Sequence, residues 1–262
     1  MQIGKPGPGA SALCHVGADR ILVRGRDLAG DLMGRLGFTA YFHFLVTGKE
    51  PSEEQRYFLD LLLVAIAEHG LTPTAVAARM TYAAAPEALQ GAVAAGILGA
   101  GSVILGASES CGKALLAAQA EVDAGKSPET AADTVATAIR QRGERMPGFG
   151  HPVHHPVDPR AERILVLAEQ RGAAGRMVRL ARHFVPAVAR AWGRSLPMNV
   201  SMPIAAVLID LGFPAAMIKA IPILARTAGL LAHIAEEQER PIGFLMAGKA
   251  EDAIAYDGGG AG

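Results

Sequence analysis

Between Met146 and Arg160 the chain reads MPGFGHPVHHPVDPR, which packs three histidines, four prolines, two glycines and an Asp-Pro-Arg into fifteen positions. Three histidines together first suggest a metal. Pro152 and Pro156 prevent the helix that would put His151 and His154 or His155 on one face, and no nearby cysteine closes a tetrahedral site, so no metal is expected. The other chemistry such a stretch suits is a loop whose glycines let the backbone approach a ligand and whose prolines hold His151 in place. A histidine held that way serves as a hydrogen-bond donor or proton carrier near neutral pH. Asp158, Pro159 and Arg160 then read as a helix N-cap, the first helical residue and a first-turn arginine whose planar fork suits a carboxylate. A plain surface loop with incidental histidines stays open on this stretch alone.

The elements that must position these residues are helices. The chain has 262 residues, half of them hydrophobic and 19% charged, with Lys plus Arg equal to Asp plus Glu. That length buries a substantial core as one large domain or two small ones, and the zero net charge offers no footprint for nucleic acid. Scarce aromatics with abundant Ala and Gly favour closely packed helices. The two cysteines, Cys14 and Cys111, indicate no disulfide framework and a reducing compartment, and MQIGKPGPGASALCH lacks the apolar run of a signal peptide, so a cytoplasmic location is expected. The uncharged run at 88–108, ALQGAVAAGILGAGSVILGAS, has the length of a membrane span. Its Ala and Gly content and the lack of a flanking basic cluster favour a buried helix between subunits, with no membrane partner.

Start and stop signals recur along the chain. Pro51, Glu53 and Glu54 open a helix that is expected to end at His69 before Gly70. Ser127 caps a helix with Pro128 behind it, and Gly143 closes it. The same signals predict helices near 27–47, 74–85, 87–104, 108–123, 159–171, 176–192, 203–211 and 215–237, with Pro186 and Pro222 expected to kink or split theirs. Strand evidence is confined to Arg20–Val23, and the tail YDGGGAG is expected to fray. The fold class is mainly α.

PGFGHPV followed by DPR resembles the active-site loop of the citrate synthase superfamily, and the resemblance extends along nearly the whole chain. RILVRGRDLAGDLMGRLGFTAYFHFLVTGKEPSEEQ resembles the family's "RG.D..DL" segment and its "GK.P" turn. AEHGLTPTAVAAR resembles the segment that carries a second histidine, and LARTAGLLAHIAEEQERPIGF resembles the closing helix with its carboxylate-binding arginine. The resemblance implies that His151 contacts the carbonyl oxygen of oxaloacetate. His69, Arg160, Arg226 and Arg240 would hold the substrate, and the backbone of Pro147, Gly148, Phe149 and Gly150 would approach coenzyme A. A structural reading stands beside each: His69 as a helix-terminal histidine favoured by the dipole, and Arg226 as a buried arginine satisfied by carbonyls.

The chain departs from the family at two places. Ile104 stands where citrate synthases carry the histidine that stabilises the enol of acetyl-CoA, and Ser201 where they carry the aspartate that removes its methyl proton. Ser201 either caps the helix around Pro203 or supplies a hydrogen bond or an oriented water in the catalytic site. The resemblance therefore implies a member close to citryl-CoA lyase and the lyase module of ATP-citrate lyase, cleaving citryl-CoA or a related 3-hydroxy-3-carboxyacyl-CoA to acetyl-CoA and oxaloacetate by a retro-Claisen reaction. Condensation of the citrate or methylcitrate synthase type and a non-catalytic binder of oxaloacetate or CoA esters are the alternatives. It also implies a two-domain helical fold, with 1–105 and 213–262 as the large domain and 106–212 as the small domain closing over the ligand. The expected assembly is a homodimer or tetramer. No cofactor is expected, because CoA is part of the substrate.

Overall fold

The structure, a computed structural model, describes residues 9–151 and 153–258. Pro152, on which the stiff-turn reading partly rests, the first eight residues and most of the tail expected to fray lie outside the described residues. The chain divides into two compact units, 1–60 and 61–262, and the division falls within a helix, α2 (Glu53–Ala67).

In the first unit three short antiparallel strands, β1 (Cys14–Val16), β2 (Ile21–Val23) and β3 (Arg26–Asp27), pair in the order β1-β2-β3. Arg24 and Gly25, with φ of 51° and 80°, form the two-residue turn between β2 and β3, the geometry that matches the strands' right-handed twist. The single helix expected over 27–47 is two pieces: a π-helical turn over Leu28–Leu32, then α1 (Phe38–Thr47). The hairpin claims Arg26 and Asp27, and the Asp27 carboxylate accepts the Gly30 N–H at 2.8 Å, which starts the turn. Val23, Leu32 and Phe44 form the core here. Arg26 pairs with Asp31 and Glu50, while Arg35 donates to both Glu50 oxygens at 2.8 Å. Those two guanidiniums, Arg35 first, draw the Glu50 carboxyl down to about 2.

The second unit is helical: α3 (Pro73–Ala84), α4 (Leu89–Leu98), α5 (Ala107–Asp123), α6 (Pro128–Gln141), α7 (Pro159–Gln170), α8 (Arg176–Trp192), α9 (Ser201–Asp210), α10 (Ala220–Glu239) and α11 (Gly243–Ala253), with a 3₁₀ turn at Ala215–Met217. α3 packs on α4, α10 and α11. α5 packs on α6, α8 and α9, and α7 on α9. Two caps are where the sequence puts them: the Ser127 hydroxyl accepts the Thr130 N–H at 3.2 Å, and Asp158 accepts the Arg160 N–H at 3.0 Å. A third comes from a distant residue, since Asp210 at the end of α9 accepts the Met177 and Val178 N–H groups of α8 at 2.9 Å each.

Several helices differ from expectation. α2 ends at Ala67, leaving Glu68 and His69 outside the helix. The run over 88–108 is not one helix: α4 stops at Leu98, and a turn closed by the Gly106 N–H on the Gly101 carbonyl at 2.9 Å leads into α5. Ten helical residues rise only about 15 Å, half the thickness of a bilayer core. α8 runs unbroken through Pro186, and Pro222 sits in the first turn of α10, where a missing N–H removes no intrahelical bond. α11 was not expected, because its N-terminus is held by a side chain from the preceding helix: Glu237 accepts the Ile242 and Gly243 N–H groups at 2.8 and 2.6 Å. Among the described residues the helix long and apolar enough to cross a membrane is Ala215–Glu239; it carries buried Arg226, His233 and Glu237 and packs on α3 and α4.

Candidate active site

One face of α10 grips the junction between α2 and α3. Arg226, Gly229, His233 and Glu237 recur at helical spacing, and each reaches a different part of that junction. Arg226 donates to the Ile66 carbonyl and to the Thr72 hydroxyl, both at 3.5 Å. A Cβ on Gly229 would lie 2.0 Å from the Ala67 carbonyl oxygen, so only glycine lets the two helices meet this closely. His233 Nε2 stands 3.0 Å from Glu68 Oε2. Glu237 takes the Nε of buried Arg79 at 2.7 Å, and Arg79 also donates to Glu236 at 2.7 Å. The α10 face thereby fixes the short segment that presents His69.

The second part of the site is the loop before α7. Asp158 is fully buried and accepts four hydrogen bonds: from the Arg160 backbone N–H at 3.0 Å, from Arg160 Nε and Nη2 at 3.1 and 3.0 Å, and from the Val200 N–H at 3.2 Å. One carboxylate thus caps α7, locks the Arg160 fork and ties the loop to the start of α9. Burial pushes its pKa up, but the Arg160 guanidinium and the backbone donors outweigh burial and hold the carboxyl below its ordinary value. A folded-state pKa below the unfolded one gives stability that is fully present above about pH 4 and is lost as the pH falls through the folded value. Asp158→Asn is expected to cost about 3 kcal/mol, the low end for breaking a buried pair because Arg160 is partly exposed. Denaturant unfolding at pH 7 checks the cost, and the variant's stability should fall less steeply below pH 4.

His151 is fixed by its own backbone. Its Nδ1 accepts the N–H groups of Val153 and His154 at 3.1 and 3.0 Å, so the neutral ring carries its proton on Nε2. Burial first, then the neighbouring His154, lowers the His151 pKa and keeps the ring neutral. The imidazole is a donor, facing a cluster of rings. The His154 ring stacks on it with centroids 4.3 Å apart, and His69 lies 5.4 Å from His151 and 5.5 Å from His154. The three residues have ring nitrogens within 4.8 Å of one another, a spacing that suits a metal. The His151 hydrogen bonds oppose one, because a metal-ligating histidine donates its second N–H to an acceptor whereas Nδ1 here accepts twice.

Two cations, Arg160 and Arg226, lie close enough to act on His69. Burial lowers the His69 pKa, and so do the fields of Arg160, His154 and Arg226. Arg226 is itself 3% exposed, and its Nε has no hydrogen-bond partner among the described residues. Burial and the Arg160 charge lower its pKa, against the pull of Glu68. Half-buried imidazoles beside an under-bonded, desolvated guanidinium make a site for an anion with several oxygens.

Comparison with known proteins gives the family. Residues 18–243 match the family described as the citrate synthase, C-terminal domain. The chain belongs to the citrate synthase family. It is 28% identical over 206 residues to the citrate synthase of Haloferax volcanii, covering 78% of this chain and 52% of that one. To the citrate/2-methylcitrate synthase of Bacillus subtilis it is 30% identical over 219 residues, covering 77% and 53%. It spans about half the length of these curated relatives. Among solved structures it is similar to the citryl-CoA lyase of Hydrogenobacter thermophilus, with a TM-score of 0.84, 26% identity and coverage of 98% of this chain and 97% of that one. The ATP citrate lyase of Methanothrix soehngenii, solved in complex with citrate and coenzyme A, shares the fold at 22% identity, TM-score 0.77, covering 99% of this chain and 43% of that one.

Within this citrate synthase-family chain, His69, His151, Arg160 and Arg226 are coupled in one cluster. Arg240 is not placed there: its side chain is exposed and its carbonyl accepts from Arg79 at 3.3 Å. Ser201 is the first residue of α9 and does not cap it; Val200 is the N-cap, and the Ser201 N–H donates to Asn199 Oδ1 at 3.1 Å. The loop Pro147 to Gly150 is clamped to 197–199, with the Gly150 N–H on the Pro197 carbonyl, the Asn199 N–H on the Gly148 carbonyl and Asn199 Nδ2 on the Gly150 carbonyl, at 2.8, 2.8 and 3.0 Å. A Cβ on Gly148 would meet Cys111 and Met202 at 2.7 and 2.8 Å, so the space its hydrogen leaves is filled from within, and Phe149 is buried. Ile104 is half-buried in the turn before α5, beside Leu105, a non-glycine at φ 65°. The sequence reading gave no role to Glu68, Arg79, Asn199 or Glu237. Their partners lie across tertiary contacts that no local pattern encodes.

Proposed function

We propose that this chain is a citryl-CoA lyase-like enzyme that cleaves citryl-CoA, or a related 3-hydroxy-3-carboxyacyl-CoA, to acetyl-CoA and oxaloacetate. The observation that carries the reading is a cluster: an Nε2–H donor on His151 next to His69, which in turn lies in the field of the buried Arg226 guanidinium, whose Nε has no partner among the described residues. The match to a citryl-CoA lyase along nearly the full length of both chains supports cleavage over condensation.

In this reading His151 donates to the tertiary hydroxyl oxygen, a bond that strengthens as the oxygen gains negative charge. His69, Arg160 and Arg226 hold the carboxylates, and Ser201 supplies a hydrogen bond or orients water near the departing carbon. Arg240, exposed at the end of α10, is not among them. The backbone from Pro147 to Gly150 approaches the CoA arm, residues 106–212 close over the pocket to exclude water, and the enzyme works as a homo-oligomer in the cytoplasm without a cofactor.

The test couples released oxaloacetate to malate dehydrogenase. Citryl-CoA as substrate should consume NADH, whereas acetyl-CoA plus oxaloacetate should release little free thiol. The reverse pattern identifies a synthase. Silence in both assays, with ligands still raising Tm, identifies a non-catalytic binder and overturns the lyase reading.

A further inference from the structure

A retro-Claisen cleavage needs a base for the tertiary hydroxyl, and the residues treated so far do not supply one. His151 carries its proton on Nε2 and has Nδ1 occupied by two backbone N–H groups, so it has no free lone pair. Ile104 has no polar atom, and a serine hydroxyl at 201 is too weak a base. Two imidazoles remain, those of His69 and His154.

The geometry separates these two. The His154 ring is stacked on His151 with centroids 4.3 Å apart and an interplanar angle of 29°, while the His69 ring lies farther off, at 5.4 Å, and edge-on at 65°. Ring nitrogens no more than 4.8 Å apart can both reach one oxygen at about 2.8 Å. His69 also lies in the fields of Arg160 and Arg226, which disfavour an added proton there. His154 is half-buried, and its backbone N–H is one of the two that lock the His151 ring, so the donor and the second imidazole are held in one short turn.

Resting on the lyase reading, we propose that His154 is the general base and then the general acid of the cleavage. A free ring nitrogen of His154 takes the hydroxyl proton while His151 Nε2–H stabilises the same oxygen. The bond between the carbinol carbon and the methylene of the thioester arm breaks, the oxygen becomes the keto oxygen of oxaloacetate, and the electron pair moves into the thioester enolate. The His154 imidazolium returns the proton to the enolate carbon, giving the methyl group of acetyl-CoA. Atoms and electrons balance with no water, oxidant or cofactor.

The experiment compares wild type, His154→Ala and His154→Phe on citryl-CoA, with circular dichroism and Tm to confirm folding. Phenylalanine keeps a ring on His151 but has no nitrogen. The expected result is a kcat lowered by roughly 10²-fold or more in both variants, with KM changed by less than about threefold. Free imidazole should restore His154→Ala by at least about tenfold and leave His154→Phe unchanged, because a cavity admits the missing base. A kcat within about threefold of wild type in either folded variant, a loss seen only in KM, or His154→Ala unresponsive to imidazole overturns the assignment. Those results leave the lyase reading intact provided the wild type turns over; a folded wild type that does not cleave citryl-CoA overturns both.

Discussion

His151→Ala is expected to lower kcat for citryl-CoA cleavage by roughly 10²–10⁴-fold. The backbone fixes this ring: the N–H groups of Val153 and His154 hold Nδ1, which leaves the proton on Nε2. Truncation removes that donor where charge develops on the substrate oxygen and also frees the two N–H groups. The fold should survive, since His151 is only half-buried and the loop stays clamped through Gly150, Pro197 and Asn199. Oxaloacetate release measured with malate dehydrogenase, beside a thermal melt, checks both halves. Turnover within a few fold of wild type would remove His151 from the chemistry.

Arg226→Met separates binding from stability in the same pocket. A buried cation that gives the fold two hydrogen bonds at 3.5 Å, and whose Nε has no partner among the described residues, costs desolvation that those bonds do not recover. Replacing it with an apolar side chain of similar length should leave Tm unchanged or raise it. The substrate carboxylate, by contrast, loses a charge-assisted partner in a desolvated site, a loss of about 3–4 kcal/mol and so about 10²–10³-fold in KM for citryl-CoA or Kd for oxaloacetate. Isothermal titration with oxaloacetate and a melt of the free protein read the two effects separately. A variant that binds normally but melts early would make Arg226 a structural residue.

How much of this the amino-acid order discloses depends on the range of the interaction. The Ser127 and Asp158 caps, with proline behind each, are local hydrogen bonds and were legible. So was the place of Arg160 in the first turn of α7, because Asp158 and Pro159 act directly beside it. The end of α2 was not legible: His69 leaves the helix where Gly229, more than 150 residues away, presses on the Ala67 carbonyl. Nor was the turn from Gly99 to Gly106, which interrupts an apolar run whose composition reads as one helix. The Asp158 carboxylate was read as a cap, while its bonds to the Arg160 fork and to Val200 depend on where α9 begins. The stacking of His154 on His151 needs the turn itself, which periodicity does not describe.

The central claim is that one pocket holds a neutral imidazole donor at 151 against a substrate oxygen whose carboxylates are held by Arg160 and Arg226. A crystal structure with oxaloacetate and a non-cleavable acyl-CoA analogue measures it directly. The expected result is His151 Nε2 at about 2.7–3.1 Å from the keto oxygen, with both guanidiniums on carboxylate oxygens. Oxaloacetate bound away from His151, or its carboxylates held without Arg226, would contradict the account.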